Sequence, residues 1–215
     1  MTPLRNVEAI DKRSIPSLPP EEFRRAVLRG AESRRIIAFF GRTLRGGVRL
    51  YALLADDGAG TLMALATEVS DRFDSLTPDC PQAHTFEREI FEQHGVRMEN
   101  HPWLKPVRGH AEPYPFFRVE GEEIHEVAVG PVHAGLIDPG HFRLQCHGEK
   151  VLSLEIHLGY QHRGVEEALA GGLDKRSALL AECIAGDTTV GHALACSLDY
   201  LAGLTEDARA SLDLL

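Results

Sequence analysis

Residues 35–68 read RIIAFFGRTLRGGVRLYALLADDGAGTLMALATE, and the punctuation of this stretch decides the fold. Arg35 to Leu44 is rich in Ile and Phe, side chains that fit a pleated, half-buried surface. Gly46-Gly47 is a turn signal. Asp56-Asp57-Gly58-Ala59-Gly60 is a second, because Asp-Gly favours a tight strand connection. Val48 to Ala55 and Thr61 to Glu68 therefore read as two further strands, and the short turns predict an antiparallel meander. Just upstream, Pro20-Glu21-Glu22 opens a helix: proline suits the first turn, and the acidic pair complements the positive helix end. Phe23, Val27 and Leu28 give that helix an apolar side for packing on the meander, and Gly30 is a candidate stop.

The same punctuation divides the rest of the chain. Residues 1–19 are polar and interrupted by Pro3, Pro16 and Pro19, and read as a tail. Asp74 to Pro81 reads as a loop, and His84 to His94 as a helix closed by Gly95, with Phe86, Ile90 and Phe91 on one side. Pro102, Pro106, Pro113 and Pro115 forbid long regular structure over residues 101–118, which read as an extended connector. Val127–Val129, Phe142–Leu144 and Val151–Ile156 are short strands, with a turn at His147–Lys150. From Gly164 the pattern turns helical: Val165–Ala170, Lys175–Ile184, Val190–Leu204, and a last helix beginning at Glu206. The expected class is α+β: an N-terminal antiparallel or mixed sheet with packed helices, then a small antiparallel sheet leading into a helical region. The expected domains are 20–125 and 126–215, behind the tail.

Composition excludes several functions. The chain has 215 residues and a formal net charge of -9. Its apolar runs, such as Ile36 to Phe40, are far short of the roughly 18 residues that span a bilayer. Met1 to Arg13 carries charges of both signs and no apolar stretch, unlike a signal peptide. Cys80, Cys146, Cys183 and Cys196 are too widely spaced for a disulfide framework or a paired metal motif. The acidic total argues against nucleic acid as a partner. Residues 1–50 nevertheless hold eleven Lys/Arg against five Asp/Glu, an arginine set that reads as a solvated helix face plus strand-edge residues. All eleven histidines lie between His84 and His192. No H-E-x-x-H motif accompanies them, so a stand-alone His-rich, metal-dependent hydrolase is a weak alternative, but the chemistry-bearing part of the chain is residues 84–192.

Two sets of motifs resemble known families. The segment Phe86-Glu87-Arg88-Glu89-Ile90-Phe91-Glu92-Gln93-His94-Gly95-Val96, followed by His101-Pro102-Trp103-Leu104, resembles the signature of the 30-kDa-type subunit of respiratory complex I. Gly130-Pro131-Val132-His133, Pro139-Gly140-His141-Phe142-Arg143-Leu144, Gly148-Glu149 and Gly159-Tyr160-Gln161-His162-Arg163-Gly164-Val165-Glu166 resemble the start of the 49-kDa-type subunit. They resemble still more the large subunit of membrane-bound, formate-hydrogenlyase-type nickel-iron hydrogenases, in which both modules are often fused in this order.

The resemblance implies a subunit, or a truncated part of one, in a membrane-associated redox complex. It would be cytoplasmic, peripheral on the inner face of the cell membrane, and would dock a small iron–sulfur subunit beside other soluble and membrane subunits. It implies that His133 and His141 face a quinone or proton site at the interface with that partner, a role suited to a group that titrates near neutral pH. It places His162, Arg163 and His192 near the partner's iron–sulfur cluster, and Glu87, Arg88 and Glu89 at a subunit interface. A catalytic nickel-iron hydrogenase is the second alternative. In that family a Cys-x-x-Cys supplies nickel thiolates, but here the matching positions are Ala185 and Thr188, which have no thiolate to give. The chain itself is therefore expected to bind no metal or cofactor and, in isolation, to do no chemistry.

Overall fold

The computed structural model describes residues 4–5, 11–108, 114–131, 139–170, 174 and 176–197. They fall into two compact units: one runs from Asp11 to Gln161 and includes Leu4–Arg5, and the other comprises the described residues from His162 onward.

The first unit begins with β1 (Leu4–Arg5) and α1 (Pro20–Ala31), followed by β2 (Arg35–Leu44), β3 (Gly47–Asp56) and β4 (Thr61–Val69). The meander forms as read: β2 pairs antiparallel with β3, and β3 with β4. One face of it is the core face. Phe39 from β2, Leu50 and Leu54 from β3 and Leu65 from β4 are buried there beneath Phe23 and Val27 of α1. Phe23, Phe39 and Phe73 form a triangle of rings with centroids 6.0–6.3 Å apart. Fully burying one such ring is worth about 1.5–3 kcal/mol. Gly30 does not stop the helix; it lies inside α1, buried, where a Cβ would come within 2.8 Å of the Leu54 and Met63 side chains. Its missing side chain is what lets α1 approach the sheet closely.

The segment read as a tail is tied to the sheet at two points. Leu4 and Arg5 pair with Leu62 and Thr61, and Ser17 bridges Ala66, with Leu18 N–H donating to Ala66 O and Ala66 N–H to Pro16 O. β4 would otherwise be an open edge with unpaired backbone groups, and the Pro-bearing segment satisfies them.

A small parallel pair was not legible in the sequence. β5 (Arg72–Asp74) lies beside β6 (Arg97–Glu99). Parallel strands need a crossover, supplied here by a 3-10 turn (Pro81–Ala83) and α2 (His84–His94). α2 ends at Gly95, left-handed at φ 69°, which donates its N–H to Phe91 O. Each strand is only three residues long, too short to show an alternating pattern. A second antiparallel sheet follows in the order β7 (Ile124–Val129), β8 (His141–His147), β9 (Lys150–His157). The second unit contains α3 (Val165–Leu169), α4 (Ser177–Glu182), a 3-10 turn (Gly186–Thr188) and a helical stretch over residues 189–197. The helix begun at Glu206 and the end of the one running to Leu204 lie outside the described residues.

Candidate functional site

The Glu87-Arg88-Glu89 motif sits on α2, and each member grips a different part of the first unit. Glu87 is fully buried. Its carboxylate accepts from Ser75 Oγ at 2.6 Å, Leu76 N at 2.7 Å, Thr77 Oγ1 at 2.5 Å and Thr77 N at 3.3 Å, so it orders the loop that leaves β5. Arg88 donates to the Lys105 and Pro106 carbonyls at 2.7 and 2.8 Å, and its guanidinium lies 4.5 Å from the Trp103 ring centroid. Burial pulls its pKa below the usual arginine value, against the opposing pull of Tyr114, Glu155 and Glu92. Glu89 meets Arg108 at 2.6 Å. One turn on, Glu92 accepts the Val107 and Arg108 backbone N–H groups at 2.9 and 3.0 Å. The resemblance implies a subunit interface for the three motif residues; within this chain Glu87 and Arg88 face its own loops from inside, and Glu89 is half-buried against the connector.

His101 completes this grip. Its Nε2 is 3.3 Å from His84 O and 3.8 Å from Glu87 Oε2, and its Nδ1 accepts from Trp103 N–H at 2.9 Å. Only the neutral ring with its proton on Nε2 meets both backbone partners. Burial accordingly pushes the His101 pKa down, against the pull of Glu87, and burial does the same to His84, which stacks on Trp103.

The connector in turn holds the β7–β8–β9 sheet. Lys105 Nζ donates to Glu155 Oε1 and to Pro115 O, both at 2.6 Å, and lies 3.3 Å from the Phe117 ring centroid. Glu155 Oε2 accepts the Phe117 N–H at 2.6 Å. The Tyr114 ring stacks on His157 at 3.9 Å, and burial raises its phenol pKa, keeping it protonated. Beside this packing opens a cleft of about 630 Å³, lined by Tyr114, Phe116, Arg118, Glu126, His141 and Arg143 among others.

His141, a sequence candidate, is thus at a cleft. Arg143 Nε donates to its Nε2 at 3.1 Å, Phe116 meets its ring edge-on at 5.2 Å, and Arg143 is held by a close ion pair with Glu126. The donation to Nε2 puts the imidazole proton of a neutral His141 on Nδ1. His133 lies outside the described residues.

The remaining candidates belong to the second unit. Arg163 donates to the carbonyls of Cys183, in a close contact, and Ile184, the latter at 3.1 Å. It therefore clamps the turn leading into Ala185 and Thr188. His162 is exposed and His192 half-buried in the helical stretch 189–197; no contact joins His192 to Arg163 among the described residues. The donor set here does not fit nickel: Ala185 and Thr188 offer no thiolate, and Cys183, which is exposed, directs its Sγ toward Leu179 O at 3.3 Å. Among the described residues no group of three or more His, Cys, Asp or Glu side chains converges in a way that could hold a metal ion. Nor is any of their helices long and apolar enough to cross a membrane.

Sequence reasoning missed Lys105, Tyr114, Arg143, Glu155 and His157. Two signals were present. Tyr114-Pro115-Phe116-Phe117 is an aromatic run in a segment otherwise read as linker, and Glu155 interrupts an apolar strand.

Comparison with known proteins agrees with the motifs. Over 156 residues the chain is 31% identical to Hydrogenase-4 component G of Escherichia coli (strain K12), covering 59% of this chain and 28% of that one. It is 29% identical over 157 residues to Formate hydrogenlyase subunit 5 of the same organism, with the same coverages. It is 45% identical over 42 residues to the Carbon monoxide-induced hydrogenase of Rhodospirillum rubrum, covering 20% of this chain and 12% of that one. The chain therefore spans little more than a quarter of the length of the first two relatives. Residues 47–114, from β3 through α2 and its grip on the connector, match the family described as respiratory-chain NADH dehydrogenase, 30 Kd subunit.

Proposed function

We propose that the chain is a subunit, or part of one, of a membrane-associated redox complex related to NADH:quinone oxidoreductase and to formate-hydrogenlyase-type hydrogenases. Its work there is that of a scaffold docking a small iron–sulfur subunit, through which electrons pass. One observation carries the reading. The 30 Kd-type segment and the sheet that bears the second motif set are locked together through the connector, by Arg88 on one side and the Lys105–Glu155 pair on the other. The first resemblance and the part of the second that ends at Gln161 thus share one unit, which supports the reading of a fused subunit. In this role His141, and by motif His133, serve an interfacial quinone or proton site, with the His141 Nδ1–H available to a carbonyl oxygen. His162, Arg163 and His192 lie toward the partner's cluster, where the Arg163 charge favours the reduced state. The complex is peripheral on the cytoplasmic side of the membrane.

The test is purification of the tagged chain from its own cells with mild detergent. A small co-purifying subunit that contains iron and gives an iron–sulfur EPR signal on reduction is expected. A chain that elutes without any iron-bearing partner refutes the scaffold. Nickel near one per chain refutes it in favour of a catalytic large subunit.

A further inference from the structure

Two members of the arginine set near the start of the chain stand directly opposite each other on the first sheet. On the face of the first sheet opposite the core, Arg42 and Arg49 are direct cross-strand partners, and so are Phe40 and Tyr51. All four side chains therefore stand on the same face, next to the β2 edge of the sheet. The Phe40 and Tyr51 rings stack at 5.3 Å and 21°, and the Arg49 guanidinium lies 5.5 Å from the Tyr51 centroid.

Two like charges directly opposite each other on neighbouring strands work against the fold. At the end of β2 the charge is met: Arg34 pairs with Asp56 and Arg35 with Asp57. On this ridge it is met on one side only. Arg42 has no ion-pair partner among the described residues. Arg49 reaches Glu68 only at 3.6 Å, on the side away from Arg42, and its buried Nε has no hydrogen-bond acceptor. Beside the pair, Phe40 leaves 46% of its surface exposed. A phosphate backbone is a poor match, because two arginines next to Glu68, in a chain of net charge -9, offer little to a polyanion.

We infer that this ridge docks an acidic segment of another protein, which sets carboxylates against Arg42 and Arg49 and an apolar side chain on Phe40. Carboxylates suit this geometry because guanidinium groups take them in two-point contact, and an aromatic flanked by arginines is the usual composition of an interface anchor. The inference goes beyond the scaffold role proposed above and does not depend on it.

The test places a photoreactive benzophenone amino acid at position 40 of the full chain in its own cells, followed by irradiation and sequencing of the crosslinked peptide. The expected peptide is from another protein and carries two or more Asp or Glu close to the crosslink. Arg42→Glu should cut the yield about tenfold while Arg42→Lys keeps most of it. Raising salt from about 50 to about 300 mM before irradiation of cell extracts should lower the yield. Arg42 is exposed, so neither variant threatens folding, and unchanged Trp103 fluorescence checks this. A crosslink to nucleic acid, to a second copy of the chain or to a segment without acidic residues overturns the inference. So does a yield indifferent to Arg42→Glu, or no crosslink at all.

Discussion

Glu87 is the residue whose removal should cost most for its size. Its carboxylate has no exposure to water and accepts four hydrogen bonds from the loop after β5. In Glu87→Ala the Ser75 and Thr77 hydroxyls can turn to new partners, and Thr77 N–H keeps a second acceptor in Ser75 Oγ at 3.1 Å. Leu76 N–H keeps none. An orphaned buried donor costs about 1–3 kcal/mol, and the lost bonds to the carboxylate and the vacated volume raise the total to about 3–5 kcal/mol. Glu87→Gln should cost only about 1–2 kcal/mol, since the amide oxygen still serves Leu76 N–H while the amide nitrogen opposes Thr77 N–H. The chain has one tryptophan, and Trp103 lies under Arg88 on the next part of the same unit. Its fluorescence during urea unfolding therefore reports the unit in question. With a slope near 2 kcal/mol per molar urea, the midpoint should fall by about 2 M for Ala and by under about 1 M for Gln. A midpoint within about 0.3 M of wild type for Glu87→Ala, or equal losses for the two variants, would refute the assignment of Glu87 as the acceptor that holds this loop.

Acid should loosen the same region. His101 and His84 have pKa values pushed below the usual 6.5 by burial, so the unfolded chain takes up these protons first. Stability should hold above about pH 6.5 and fall below it, until the folded-state pKa values are passed. Urea midpoints measured from pH 7.5 down to pH 5 check this, and the slope should flatten in His101→Gln. Lys105→Met and Glu155→Gln should each destabilise by about 3–5 kcal/mol, and a double-mutant cycle should give a coupling above about 1 kcal/mol; additive losses would mean the pair does not join connector to sheet. Gly159 has φ +98°, and an added Cβ would lie 2.6 Å from Val107 O, so Gly159→Ala should cost more than about 1 kcal/mol and speed proteolysis within the connector.

How far the sequence disclosed this fold depended on the length of each signal. Residues 35–68 carry two strong turn dipeptides and three long apolar runs, and the meander follows to within a residue or two. α2 was legible because Gly95 marks its stop and Ile90, with the partly buried Phe86, its core-facing side. The β5–β6 pair was not, because three-residue strands show no period and a parallel partner is distant in sequence. Gly30 misled for a different reason: the same absent side chain that ends a helix also permits close packing in its last turn, and only the neighbouring Leu54 and Met63 tell the two apart.

The site divides along the same line. Motif residues could be named from the sequence, but their direction could not. Glu87, Arg88 and Glu89 are consecutive on a helix, so they point about 100° apart, and a charged triplet reads as a surface until one knows what lies under each member. Here the two that point inward meet unpaired backbone groups, Leu76 and Thr77 N–H for Glu87 and the Lys105 and Pro106 carbonyls for Arg88. Those loops are irregular because prolines and short strands deny them a ladder of their own, so their hydrogen bonds have to come from side chains. A charge triplet with two members buried and all three used, beside a proline-rich segment, is thus the expected solution for joining two sheets by a chain that can be neither helix nor strand. This also explains why the signature of the 30 Kd-type segment continues past α2 into His101-Pro102-Trp103-Leu104: the helix and the connector it grips are one structural device, and neither half would keep its geometry alone.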